Sequence, residues 1–151
     1  MLDSKSFKII IENTPLVSID LCIVCDCQIL LGKRNNEPLR GIWFTPGGRI
    51  LKNETWQDCL CRVASSELLL EVRDPNDFRL MGVWDHFYEN SAVDEGISTH
   101  YVNLPHCIYM KKKPNLQIDE QHEEMSWFDL QEVASSSRFH KYMRNYASHL
   151  L

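Results

Sequence analysis

No stretch of this 151-residue chain approaches the roughly 20 consecutive apolar residues that span a bilayer. The opening residues, MLDSKSFKII, also lack the basic-then-apolar pattern of a secretory leader. Both absences point away from a membrane and toward the cytoplasm. A surplus of positive charge is missing too: the formal net charge is −5 and the pI is near 5.6. That balance excludes general nucleic-acid binding, which relies on clustered Lys and Arg against phosphates. It leaves open a small phosphorylated ligand held by a few arginines. Repeats, low-complexity tracts and linkers are absent, and 44% of the residues are hydrophobic. Residues 1–151 therefore read as a single domain with one core. Six cysteines, at 22, 25, 27, 59, 61 and 107, do not read as a zinc or disulfide framework. Cys22 lies in a strand-like run and Cys59 in a helical stripe, where free Cys acts as a small buried hydrophobe. Cys59 and Cys61 would point about 200° apart on a helix, poor geometry for one ion, and a reducing compartment disfavours disulfides.

What is present is a succession of short elements. Ser4 can cap an opening helix with Phe7, Ile10 and Ile11 on its apolar side, closed off by Pro15. PLVSIDLCIV splits by parity into Val17, Ile19, Leu21 and Ile23 against Ser18, Asp20, Cys22 and Val24, the pattern of a strand. Asp20 on the polar face is either solvated or turned into a polar site. A second strand is expected over Gln28 to Leu31, followed by a polar loop from Gly32-Lys33-Arg34. Trp43-Phe44-Thr45 is stopped by Pro46-Gly47-Gly48, where paired glycines permit a tight turn or a close backbone approach to a ligand. Longer strand candidates, Phe78 to Tyr88 and Ser98 to Met110, are joined by Glu89 to Gly96. Thr99, Tyr101 and Asn103 share one face, and Pro105 suggests an edge or a bulge. The charged segment Asp119 to Glu124 precedes a short strand around Trp127-Phe128, and Asp129 with Glu132 forms a capping-box-like start. In the tail, Phe139, Tyr142, Met143, Tyr146, Ala147 and Leu150 share a helical stripe, as core or as a subunit interface.

Gly47 to Leu70 carries the chemistry. With Trp56 at zero and steps of about 100° per residue, Cys59, Leu60, Val63, Ala64 and Leu68 form one stripe, into which Glu67 projects. An ionised carboxylate on a packing face is costly unless paired or metal-bound. Either Glu67 bends out where the helix frays, or it has a partner. The WFTPGG turn and this helix resemble the Nudix hydrolase box, G-x5-E-x7-R-E-U-x-E-E-x-G-U with U aliphatic. Gly48, Glu54, Arg62 and Glu67 keep the spacing, whereas Val63 and Ser66 replace two acids and Leu69 the closing Gly. One Nudix branch, the GDP-mannose mannosyl hydrolases, is similar in lacking those two acids while keeping the last. The likeness extends to NTPLVSID at Asn13 to Asp20, LLGKR at Leu30 to Arg34, GVWDHFY at Gly82 to Tyr88, THYV at Thr99 to Val102 and DEQH at Asp119 to His122. That branch tends to keep Gly where Leu69 stands. A left-handed residue bearing a side chain costs on the order of 1 kcal/mol, so either the helix runs on or Leu69 accepts the strain.

The resemblance implies an α/β fold, the Nudix α/β/α sandwich with a mixed central sheet, and a homodimer. It implies hydrolysis of GDP-mannose, and of GDP-glucose as a further candidate, by water attack at the anomeric carbon. One Mg2+ per subunit, with Mn2+ as a substitute, would be held by the Gly47 carbonyl, Glu67 and Gln121, oxygen donors that suit a hard ion. Such an ion is also a partner for Glu67. His122 matches the family's general base, and an imidazole suits neutral operation; without the likeness, DEQHEE reads as a solvated acidic loop. Arg34, Arg49 and Arg62 would surround the diphosphate, although Arg62 can instead pair with Glu54. By the same resemblance Tyr101 would donate to a phosphate, Asp20 and His86 would face the sugar, and Leu2 and Phe7 would contact the nucleotide. The plain alternatives are a half-buried strand Tyr, solvated side chains and the apolar side of a short helix. Two other functions compete: a pyrophosphohydrolase attacking phosphorus, and a nucleotide-sugar binding module without catalysis. Attack at phosphorus generally recruits more ions, so the missing acids favour carbon.

Overall fold

In the computed structural model the alternating run after Pro15 forms the centre of a mixed sheet. The described residues are 2–116 and 122–151, the side chains of His122 and Glu123 excepted. In chain order the elements are helix α1 (Ser4–Asn13), strands β1 (Leu16–Cys25), β2 (Gln28–Arg34), β3 (Trp43–Phe44) and β4 (Gly47–Arg49), then helix α2 (Trp56–Leu68). A 3-10 turn at Pro75–Asp77 follows, then β5 (Arg79–Leu80), β6 (Trp84–Tyr88), β7 (Thr99–Tyr109), β8 (His122–Asp129), α3 (Leu130–Ser135) and α4 (Lys141–Leu150). Strand β1 runs parallel to β7, Leu16 opposite Tyr101 and Val24 opposite Tyr109. Its other edge is shared: Ser18, Ile19 and Asp20 pair with Arg49, Gly48 and Gly47 of β4, while Val24 and Cys25 pair with β2. Strand β2 pairs in turn with β3 and β8, and β7 with β5 and β6.

Helices cover both faces, which is the α/β/α sandwich expected from the sequence. Ile19, Leu21 and Ile23 pack with Cys59, Leu60, Val63, Ala64 and Leu68 of α2. Cys22 and Val24 pack on the opposite side with Leu130 and Val133 of α3 and Tyr142, Met143, Tyr146 and Leu150 of α4. The parity of β1 thus separates two hydrophobic layers rather than a core from solvent, as in strands buried on both faces. The tail stripe belongs to this core, with one adjustment: helix α4 begins at Lys141 behind an N-cap His140, so buried Phe139 packs from outside it.

Several boundaries differ from the sequence reading for physical reasons. Asp3, rather than Ser4, caps α1, its Oδ1 accepting from Ser6 N–H at 2.8 Å. Strands β2 and β8 extend well beyond their apolar cores because each pairs with the other along its length. The expected strand Phe78 to Tyr88 is split into β5 and β6 around Gly82, whose φ of 156° interrupts the run. That break explains Pro105, which lies in central β7 and not at an edge. Its neighbours on the β5/β6 side are the unpaired residues between the two strands, and Met81 N–H donates to the Pro105 carbonyl at 2.9 Å. A residue with no N–H is tolerated where no ladder bond is asked of it. No helix among the described residues is long and apolar enough to cross a membrane.

Candidate active site

Thr55 caps α2, its hydroxyl accepting from Asp58 N–H at 3.1 Å. Three turns later the helix presents Glu67, only 3% exposed, to the glycine pair. Gly47 N–H donates to Glu67 Oε2 at 3.0 Å, so the buried carboxylate is turned inward and does not bend out to water. Gly47 and Gly48 are not a turn: they form β4 along β1. A Cβ on Gly47 would fall onto Asp20 Oδ1 and lie 2.9 Å from the Ile19 carbonyl; one on Gly48 would lie 3.0 Å from Val63 Cγ2. Glycine is required here for close approach. Helix α2 stops where the Nudix pattern has its Gly, with Leu69 at φ 50° and ψ 33°. Leu69 N–H donates to the Ser65 carbonyl at 3.0 Å and Leu70 N–H to that of Ala64 at 3.1 Å. The Leu69 side chain is 63% exposed. The helix end keeps its left-handed form in spite of the residue, and Glu67 keeps its place in the last turn.

The glycine pair also lines a cavity of about 200 Å³, to which neither Glu67 nor any other residue of α2 contributes. It gathers Phe7, Asp20, Arg34, Gly47, Arg49 and Tyr101 of the residues singled out from sequence. Arg34 comes from the end of β2, its Nε donating to the Pro38 carbonyl at 2.9 Å. Arg49 follows the glycines, with its guanidinium 4.6 Å from the centroid of the Phe7 ring. Two guanidinium groups on one cavity suit an anionic ligand with paired oxygens. Asp20 is buried, and burial raises its carboxyl above the usual range while hydrogen bonds from Tyr146 and Asn103 pull it back. Burial also raises the Tyr101 hydroxyl, which stays a proton donor at neutral pH.

Other expected residues stand elsewhere. Arg62 forms a two-pronged pair with Glu54, Nε to Oε2 at 2.7 Å and Nη2 to Oε1 at 3.0 Å, and donates to the Arg49 carbonyl at 2.9 Å. It does not line the cavity, and its contact with the site runs through the Arg49 backbone. The Arg62 hydrogen bond holds the Glu54 carboxyl down at about 2. His86 is 1% exposed and stacked on Tyr142 with ring centroids 3.8 Å apart. It sits behind the cavity-lining Tyr88, whose hydroxyl is 3.4 Å from His86 Nδ1, and burial pushes its imidazole down to about 3. Leu2 lies exposed ahead of α1. Gln121 falls outside the described residues, as does the His122 side chain; the His122 backbone opens β8 opposite Arg34, where the β2–β8 register slips.

Sequence reasoning passed over four contributors. Ser18, Tyr88 and Asn103 line the cavity, and Tyr146 reaches Asp20 from α4. The signal available for Ser18 and Asn103 was polar residues inside strands flanked by apolar neighbours; Tyr146 looked like any core aromatic. Glu67 and the backbone carbonyl of Gly47 are hard oxygen donors, a chemistry that fits magnesium better than a soft ion.

Comparison with known proteins places this geometry. The chain is 39% identical over 128 residues to the low-salt glycan biosynthesis protein Agl8 of Haloferax volcanii, covering 85% of this chain and 80% of that one. It superposes on the MutT NUDIX hydrolase of Burkholderia pseudomallei with a TM-score of 0.74 at 25% identity, covering 92% and 100% of the two chains. The NUDIX domain of Shewanella oneidensis NrtR, solved with ADP ribose, gives a TM-score of 0.69 at 17% identity, with 99% and 91% covered, a likeness of fold. Residues 15–150 match the NUDIX domain model, and with the box helix, the glycine pair and the buried Glu67 in place, the chain belongs to the Nudix hydrolase family.

Proposed function

We propose that this protein hydrolyses GDP-hexoses, GDP-mannose or GDP-glucose, to GDP and free sugar by water attack at the anomeric carbon. The observation that carries the reading is the way α2 meets the glycine pair. Of the four positions where the Nudix box has acids, Glu54 is taken up by Arg62, Val63 is a buried apolar contact under Gly48, Ser66 is exposed, and Glu67 alone points at Gly47. One carboxylate suits one ion, and one ion suits neutralising a departing diphosphate. Agl8 is named for glycan biosynthesis, and glycan assembly draws on activated sugars.

Nudix hydrolases work with divalent metals; here Glu67, the Gly47 carbonyl and Gln121 would hold Mg2+, with Mn2+ as substitute. When bound, the ion supplies positive charge against the diphosphate. Arg34 and Arg49 add two fixed cations on the cavity wall, which stabilise charge building on the leaving group. Asp20, in the cavity lining, opposes positive charge developing on the sugar carbon. Tyr101, protonated at neutral pH, donates to a phosphate oxygen, and Phe7 and Leu2 lie on the nucleotide side. His122 accepts the proton of the attacking water. His86 acts from behind Tyr88 and Arg62 by holding the Glu54 and Arg49 segments. A homodimer in the cytoplasm belongs to the same proposal.

Incubation with GDP-hexoses in isotopically labelled water tests it. Label in the free sugar is expected. Label in a phosphate, with release of GMP and hexose 1-phosphate, would mean pyrophosphate cleavage, and binding without turnover a non-catalytic module.

A further inference from the structure

Tyr146 belongs to the apolar stripe of the tail, yet its hydroxyl is aimed at the site. The residue is fully buried. Its ring is held edge-on to Trp84, with centroids 5.5 Å apart, and lies 5.5 Å from His86. The hydroxyl donates to Asp20 Oδ2 at 2.6 Å, the short distance of a charge-assisted O–H···O bond. Asn103 Nδ2 donates to the same oxygen at 2.9 Å and to Ser18 Oγ at 2.9 Å. From the other side the backbone of Gly47 closes on Asp20 Oδ1. One carboxylate oxygen is thus held by two donors while the other is packed against backbone. A Phe would fill the Tyr146 volume equally well, so packing does not explain the hydroxyl.

We propose that Tyr146, assisted by Asn103, is a positioning residue that fixes the plane of the Asp20 carboxylate toward the sugar end of the cavity. The inference rests on the proposed GDP-hexose reaction. A fixed carboxylate opposes charge on the reacting carbon without reorganising first, and small misplacements at a reacting centre cost up to about 100-fold in rate. The link spans 126 residues of sequence, so it ties the C-terminal helix to the chemistry.

The test is a double-mutant cycle on GDP-mannose and GDP-glucose with Mg2+, using wild type, Tyr146→Phe, Asp20→Asn and the double variant. Expected for Tyr146→Phe is a fall in kcat of about 10- to 100-fold, the loss seen when an outer partner of a site residue is removed, with KM within about twofold. In the Asp20→Asn background the same substitution should change nothing further, since residues acting as a unit are non-additive. Equal losses in both backgrounds, or an unchanged kcat in a cooperatively folded Tyr146→Phe protein, overturn the proposal. If Tyr146→Phe loses its cooperative thermal transition, Asn103→Ala carries the same cycle. If the wild type binds GDP-hexose without turning it over, the proposed reaction fails by itself. Non-additive losses of affinity across the four proteins then uphold the positioning, and additive ones reject it. Neither turnover nor binding by the wild type rejects both.

Discussion

Replacing Glu54 with Gln should cost stability at neutral pH, and the cost should vanish in acid. Glu54 accepts two hydrogen bonds from Arg62, at 2.7 and 3.0 Å, and one from Leu51 N–H at 3.1 Å. Gln keeps one acceptor and turns an N–H toward the guanidinium. The Arg62 hydrogen bond lowers the carboxyl from 4.5 to about 2, which at about 1.36 kcal/mol per pH unit is an upper bound of about 3 kcal/mol. Arg62 is 40% exposed, so solvent screening reduces this to about 1 kcal/mol. For a chain of this size that is a fall of about 2–4 °C in Tm. The folded carboxyl titrates lower than the unfolded one, so its contribution is complete above pH 4.5 and is lost as pH falls through about 2. Thermal unfolding of both proteins from pH 7 to pH 3 measures the gap, which should shrink to less than half. A gap of constant size would refute the charge-based account. A large rise in KM for the substrate with little change in Tm would place Arg62 on the diphosphate instead of on Glu54.

Three further outcomes are expected. Glu67→Gln keeps an acceptor for Gly47 N–H, and in that variant the stabilisation by Mg2+, about 2.7 kcal/mol at 100 times Kd, should disappear along with turnover; an undiminished Mg2+ shift would remove Glu67 from the metal site. Gly47→Ala puts a methyl group onto Asp20 Oδ1 and should destabilise by about 1–3 kcal/mol, read as a Tm loss; a neutral result would show that β4 can draw back. The His86 imidazole, pushed down to about 3 by burial, should stay neutral in an NMR titration to pH 5, and a midpoint near 6.5 would contradict its enclosure.

Local signals carried far where the physics is local. The stripe of α2, the Asp129 cap and the parity of β1 depend on side-chain spacing over a few residues, and each is realised. Gly48, Glu54, Arg62 and Glu67 were recognisable as a box because their spacing spans one short strand, a loop and the helix that follows. Leu69 was undecidable from sequence, since extending a helix and accepting a left-handed residue differ by only about 1 kcal/mol; the Ser65 and Ala64 carbonyls take the bonds that end it.

What sequence by itself determined is therefore the family, the layers and the chemical types at the site. Which of those residues meet was decided by tertiary structure. Asp20 looked solvated because most carboxylates are, but β7 and α4 bring Asn103 and Tyr146 onto it across 83 and 126 residues. Arg62 had two available anions, and the Glu54 carboxylate, within reach of the same helix face, holds it. His86 faces inward because β6 alternates Asp85 and Phe87 outward, which leaves its ring against Tyr142. Pairings of this kind depend on chain segments far apart in sequence, and a hydrogen bond between them has no periodicity by which it can be read beforehand.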